Sequence, residues 1–142
     1  MSKLWLRSVR RFASLLPMEE RGRDDSDEPL FLRYFLKSGK KKNWGVFIHN
    51  YLRSDPEGVH CHPWYNISLV LCGGYIEHFH DGTSKFRKPG SIIFRTAREL
   101  HRLETVEGIE CWSLFIHGPN RRQWGFIRLP YEWYPFKAKK DK

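Results

Sequence analysis

No stretch of this sequence stays apolar for the ~20 residues that a membrane-spanning helix needs, so no such helix is expected. Cysteine is scarce: Cys61, Cys72 and Cys111 are three in all, odd in number and without paired spacing. That pattern argues against a disulfide framework and a zinc ribbon. Acidic residues are the minority, 16 against 25 lysines and arginines, for a formal net charge of +9. A secretory leader is not expected either. Arg7, Arg10 and Arg11 interrupt every apolar run between Met1 and Pro17, and no small-residue cleavage site follows. The compartment expected on these grounds is the cytoplasm, where the glycosylation pattern Asn66-Ile67-Ser68 has no meaning.

What is present suits one packed domain. The chain has 142 residues, 40% of them hydrophobic and 15% aromatic, enough for a single core. Its 11 glycines and 8 prolines imply many turns, as in folds of short β-strands. The positive excess gathers before Pro17, in Lys40-Lys41-Lys42 and in Lys137 to Lys142. Solvated lysines are the expected reading of these runs, with a nucleic-acid surface as the lesser alternative.

The periodicity predicts a helix over Lys3 to Leu16, with Leu4, Trp5, Val9, Phe12, Leu15 and Leu16 near one face. Pro17 would end it. Packing against the domain or a second subunit is preferred over lying on a membrane surface, because the helix is short. Glu19 to Pro29 is charged and reads as a linker, so residues 1–29 form an N-terminal helix and charged linker. A barrel is expected over 30–136 and a basic tail over 137–142. Within the barrel the pattern predicts strands at Leu30 to Leu36, Trp44 to Arg53, Asn66 to Leu71 and Tyr75 to His80. Ser91 to Arg95, His101 to Thr105, Cys111 to His117 and Trp124 to Leu129 follow. About eight short strands with turn signals between them describe an all-β sandwich or barrel.

His60-Cys61-His62 carries the first chemical signal. On a strand, alternate side chains share a face, so the two imidazoles would offer two adjacent ligands to a borderline metal. A second pair, His78-Phe79-His80, abuts the Asp81-Gly82 turn and reads as a rim pair, with His78 able to reach a pocket. Cys61 alternates away from its neighbours and reads as a structural thiol.

The chain from His60 resembles the first motif of the cupin superfamily: His-x-His, an acidic ligand, then glycine. Asn66 stands in the acidic position and Gly73 in the glycine position. Gly90 and His101 match the second motif in type and spacing, while Thr96, Arg98 and Thr105 replace its other residues. The resemblance spans roughly Trp44 to Ile116. It implies an all-β fold, a double-stranded β-helix or jelly-roll-like barrel with a short N-terminal helix. It also implies that His101 joins His60 and His62 on one divalent metal ion: Fe(II) favoured, with Zn, Mn and Ni as alternatives.

Asn66 is neutral and a poorer ligand than a carboxylate, which leaves three histidines and open coordination positions. If His60, His62 and Asn66 face inward, parity sends Ser68 and Val70 inward too. On the next strand either Tyr75 and Glu77, or Ile76 and His78, face in. Arg95 or Arg102 could supply a cation to an anionic substrate, one of the two being expected at the surface. Trp64 walls the pocket or joins the core, and Trp112, Phe115, Trp124 and Phe126 read as core. The favoured function is an Fe(II)-dependent oxygenase acting on a small molecule, with a second copy of the chain as its partner in a homodimer. The alternative is a non-catalytic cupin that binds a small ligand or sugar.

Overall fold

The computed structural model describes residues 2–23, 27–38, 43–56, 58–123, 125–128 and 132–135. Helix α1 (Lys3–Ala13) precedes twelve strands: β1 (Met18–Arg23), β2 (Pro29–Lys37), β3 (Gly45–Tyr51), β4 (Val59–His60), β5 (Asn66–Cys72) and β6 (Tyr75–Phe79), then β7 (Ser84–Arg87), β8 (Ile92–Arg95), β9 (His101–Thr105), β10 (Cys111–His117), β11 (Gly125–Arg128) and β12 (Glu132–Pro135). They form two six-stranded antiparallel sheets, ordered β1-β2-β3-β10-β5-β8 and β12-β11-β4-β9-β6-β7. From β3 to β11 the chain passes back and forth between the sheets, staying in one only for the β6–β7 hairpin, the arrangement of a double-stranded β-helix.

The alternating pattern of β5, buried at Asn66, Ser68 and Val70, turns those residues toward the interior. Ser113, Phe115 and His117 of β10 face the same way, opposite Val70, Ser68 and Asn66. Tyr75 and Glu77 of β6 are 1% and 0% exposed, so theirs is the inward register. The turn between β5 and β6 depends on Gly73, whose φ is +71°. A Cβ there would meet the Glu110 carbonyl oxygen at 2.2 Å. The second motif glycine, Gly90, has φ +86° and opens the turn into β8.

Helix α1 covers the outer face of the first sheet. Ser2 caps it by accepting from the Trp5 N–H at 3.3 Å, and Arg10 and Arg11 sit in its last turn, where cations suit the dipole. Its seam differs from the expected stripe. Val9 and Ala13, flanked by Leu6 and Leu16, pack on Ile48, Cys72 and Trp112. Leu4, Trp5, Phe12 and Leu15 are exposed, although the Trp5 indole N–H reaches the Leu71 carbonyl at 2.9 Å. An ion pair from Arg10 to Glu110 fixes the helix from its polar side. The helix also ends earlier than expected, at Ala13 rather than Leu16.

The charged segment from Glu19 is not all linker. Met18–Arg23 pairs with β2 from Met18 opposite Tyr34 to Arg23 opposite Pro29. It is an exposed edge strand held by backbone hydrogen bonds, and charged side chains there discourage edge-to-edge pairing. Such a strand needs no apolar alternation, so its sequence hides it. The expected loop from Lys40 to Lys42, Trp124 and the basic tail 137–142 lie outside the described residues.

Candidate metal centre

Three imidazoles converge inside the barrel. His60 ends the two-residue strand β4 and lies opposite His101 on β9. His62 follows just beyond that strand, so the pair is not carried by one continuous strand as expected, yet both rings reach the same point. The potential ligand nitrogens of His60, His62 and His101 all lie within 4.8 Å of one another. His62 Nε2 and His101 Nε2 are 2.8 Å apart. Two lone pairs cannot face each other at that distance, so a proton or a cation must lie between them.

The orientation of His101 is set from behind. Its Nδ1–H donates to Glu77 Oε1 at 2.9 Å, which leaves Nε2 as the nitrogen with a lone pair. A carboxylate behind a histidine ligand fixes the tautomer and raises the basicity of the ring. Glu77 is held in turn by Arg95 Nε at 2.6 Å and by Arg87 Nε at 2.6 Å. Burial alone would raise the Glu77 pKa. Hydrogen bonds from His101 and Arg95, with the Arg95 charge, outweigh it and hold the carboxyl well below the usual range. Arg95 also donates to the Tyr75 hydroxyl at 2.9 Å and to Asn66 Oδ1 at 3.3 Å. Asp55, whose carboxylate accepts from the Leu103 N–H at 2.7 Å, lies 4.0 Å from His60 Nε2.

Burial makes all three imidazoles neutral. It lowers His101, pushes His62 well below its ordinary value, and takes His60 from 6.5 to about 4. Neutral imidazole is the form that binds metal, so the donor set fits a borderline divalent ion. The same burial predicts a pH dependence for the metal-free protein. His60 binds its proton more readily when unfolded, so the unfolded state gains protons first as pH falls. Stability is then fully present above pH 6.5 and is lost as pH falls toward about 4. For His60 alone the loss is about 3 kcal/mol. Denaturant midpoints measured across this range should fall steadily with pH; a constant midpoint would show that the rings are not buried neutral.

The other expected pocket residues divide into supports and walls. Asn66 occupies the motif's acidic position, but its amide oxygen faces Arg95 and its Nδ2 is buried without a partner among the described residues. Ser68 Oγ and Trp64 Nε1 are likewise buried and unpartnered there. The Trp64 ring lies 6.1 Å from His62 and 4.4 Å from His117. Arg95 is interior but engaged by Glu77. Arg102 instead reaches the Asp55 carbonyl and Glu104. His78 bonds Glu104 and Ser84 outside the pocket, and His80 is exposed. Cys61 is buried, with its thiol 3.6 Å from the Gly125 carbonyl oxygen. Trp112 and Phe115 are buried as expected, and Phe126 is half-buried against His60.

Arg33, His49, Arg87, Asp55 and His117 were not singled out by the sequence motifs. The alternation of Phe31, Arg33 and Phe35 against Phe47, His49 and Tyr51 was the available signal for the first two.

No family model matches this chain, and no curated protein matches its sequence. Its fold, however, matches solved structures. The polyketide cyclase RemF from Streptomyces resistomycificus superposes with a TM-score of 0.66 at 20% identity, over 82% of this chain and 83% of that one. A protein with a double-stranded β-helix domain from Klebsiella pneumoniae gives 0.57 at 14% identity, over 77% and 90%. Fe(II)-HppE with the alternative substrate (S)-1-HPP gives 0.58 at 13% identity, over 74% and 57%. At these identities the likeness concerns the fold, and with the two sheets and the motif positions it is clear: this chain is a cupin-type double-stranded β-helix.

Proposed function

We propose that this chain is a metal-dependent cupin that holds one divalent ion on His60, His62 and His101 and acts on a small molecule inside the barrel. Fe(II) is the favoured metal and oxygenation the favoured reaction. The observation that carries the reading is the convergence of three imidazoles on one point, His60 and His101 buried and His62 half-buried, with His101 locked by Glu77. Three neutral ligands leave positions open, and an ion bound there supplies Lewis-acid or redox chemistry. Glu77 orients His101, Arg95 and Arg87 hold Glu77, and neutral Asn66 leaves the fourth protein position without an anionic ligand.

The fold likeness to Fe(II)-HppE supports iron. The likeness to RemF, a polyketide cyclase, supports a second reading in which the same centre promotes ring closure without dioxygen. The test is anaerobic loading with Fe(II) followed by nitric oxide, read by electron paramagnetic resonance. The high-spin signal of an iron–nitrosyl species is expected in the wild type and not in His62→Ala. Substrate-dependent dioxygen uptake then separates oxygenase from cyclase. A protein that takes up no metal leaves the ligand- or sugar-binding reading.

We further infer a homodimer in the cytoplasm. Ile92 and Phe94 on edge strand β8 are 75% and 59% exposed, beside Ile67 at 37%, an apolar patch that a second copy would cover. All three cysteines are buried free thiols, as suits a reducing compartment. Phe94→Lys combined with Ile92→Lys should convert a dimer to a monomer by light scattering. A monomeric wild type would contradict the dimer.

A further inference from the structure

A second polar constellation lies across the barrel from Glu77. Arg33 faces His49 in register between β2 and β3, with Phe31 opposite Tyr51 and Phe35 opposite Phe47. Arg33 Nε donates to His49 Nε2 at 3.2 Å. Its guanidinium carbon lies 4.6 Å from the centre of the Phe47 ring and 5.5 Å from that of Phe31. His49 stacks on Phe115 with ring centres 4.8 Å apart.

Among the described residues, no carboxylate pairs with this guanidinium. Arg95 and Arg87 share Glu77, and Asp55 lies beside His60. Glu19, opposite Arg33 on β1, closes on Arg21 at 2.5 Å instead. Burial pushes Arg33 down to about 10, with the Arg21 charge assisting and the Glu19 charge opposing, so it remains a cation at neutral pH. The Phe47 ring beside it stacks on His117 with ring centres 5.4 Å apart, His117 lies 4.4 Å from the Trp64 ring, and Trp64 lies 6.1 Å from His62. The arginine and the three-histidine group therefore face one interior. A half-buried cation with no carboxylate bonded to it among the described residues is poorly solvated, and a ligand anion would complete it.

We propose that Arg33 anchors the carboxylate of the small molecule whose other end reaches the three-histidine group, and that the ligand is a small aromatic carboxylate. The proposal rests on reading the barrel interior as the binding site. Phe31, Phe47 and Phe115 supply flat apolar walls, while the guanidinium supplies a planar fork that matches a carboxylate. His49 is a positioning residue, accepting from Nε so that the terminal nitrogens are turned to the ligand.

The test uses benzoate and its neutral isostere benzamide, titrated calorimetrically into wild type, Arg33→Gln and Arg33→Lys, each with and without metal. Wild type should bind benzoate in both forms. Arg33→Gln should weaken it about tenfold or more, and Arg33→Lys less, since the charge survives without the fork. Benzamide affinity and metal content should not change. If Arg33→Gln fails to fold, ring resonances of His49 and Phe47 in the wild type should shift on adding benzoate. Wild type that ignores benzoate, equal benzoate affinity in Arg33→Gln, an equal loss for benzamide, or unshifted rings would overturn the proposal. A protein that takes up no metal but binds benzoate through Arg33 would refute the metal reading and leave this one standing.

Discussion

Glu77→Ala should be among the most destabilising single substitutions in this barrel. The carboxylate is 0% exposed and accepts from Arg95, Arg87 and His101 at 2.6, 2.6 and 2.9 Å. Removing it leaves Arg95, itself 4% exposed, as a buried cation held only by neutral groups. Breaking a buried ion pair from one side costs about 3–5 kcal/mol. For a chain of this size that is roughly 10–17 °C of melting temperature. Glu77→Gln keeps the volume and one acceptor and should fall in between. It should also loosen His101, lowering metal affinity about 10- to 100-fold, as losses behind a metal ligand do. Thermal denaturation with and without metal reads both effects. A Glu77→Ala protein that melts within a few degrees of wild type would show that this network does not hold the barrel.

The second large effect concerns the ligands. His101→Ala should lose metal as completely as His60→Ala or His62→Ala, although it is distant in sequence, because all three rings meet within 4.8 Å. Two imidazoles alone hold an ion weakly. His80→Ala and His78→Ala should retain it, since His80 is exposed and His78 is occupied by Glu104 and Ser84. Elemental analysis of each folded variant distinguishes these outcomes. Equal metal loss from His78→Ala would point to a different site.

Much of this arrangement was legible in the sequence. His60-x-His62, Gly73, Gly90 and His101 predicted the histidine cluster, and β9 and β10 begin and end at the expected residues. Other features lacked a local signal. The inward face of β6 could not be chosen, because Gly73 and Gly74 both adopt positive φ and break the alternation from β5. Strand β1 is exposed and charged, and β7 is exposed up to Arg87, so neither shows a burial pattern to read. The buried seam of α1 runs through Val9 and Ala13, flanked by half-buried Leu6 and by Leu16 just beyond the helix, while larger apolar residues beside it stay in solvent. Nothing in the local sequence sets Arg33 apart, and its register with His49 is what brings it beside the interior. Asn66 was recognised by position, but its contact with Arg95 depends on the pairing of β5 with β8.

Metal content of the purified wild-type protein, offered Fe(II), Mn(II), Ni(II) and Zn(II) in turn and compared with His101→Ala, tests the central claim most directly. About one ion per chain in the wild type and none in the variant is the predicted result. A folded wild type that stays metal-free with every ion, or a variant that binds as much as wild type, would contradict it.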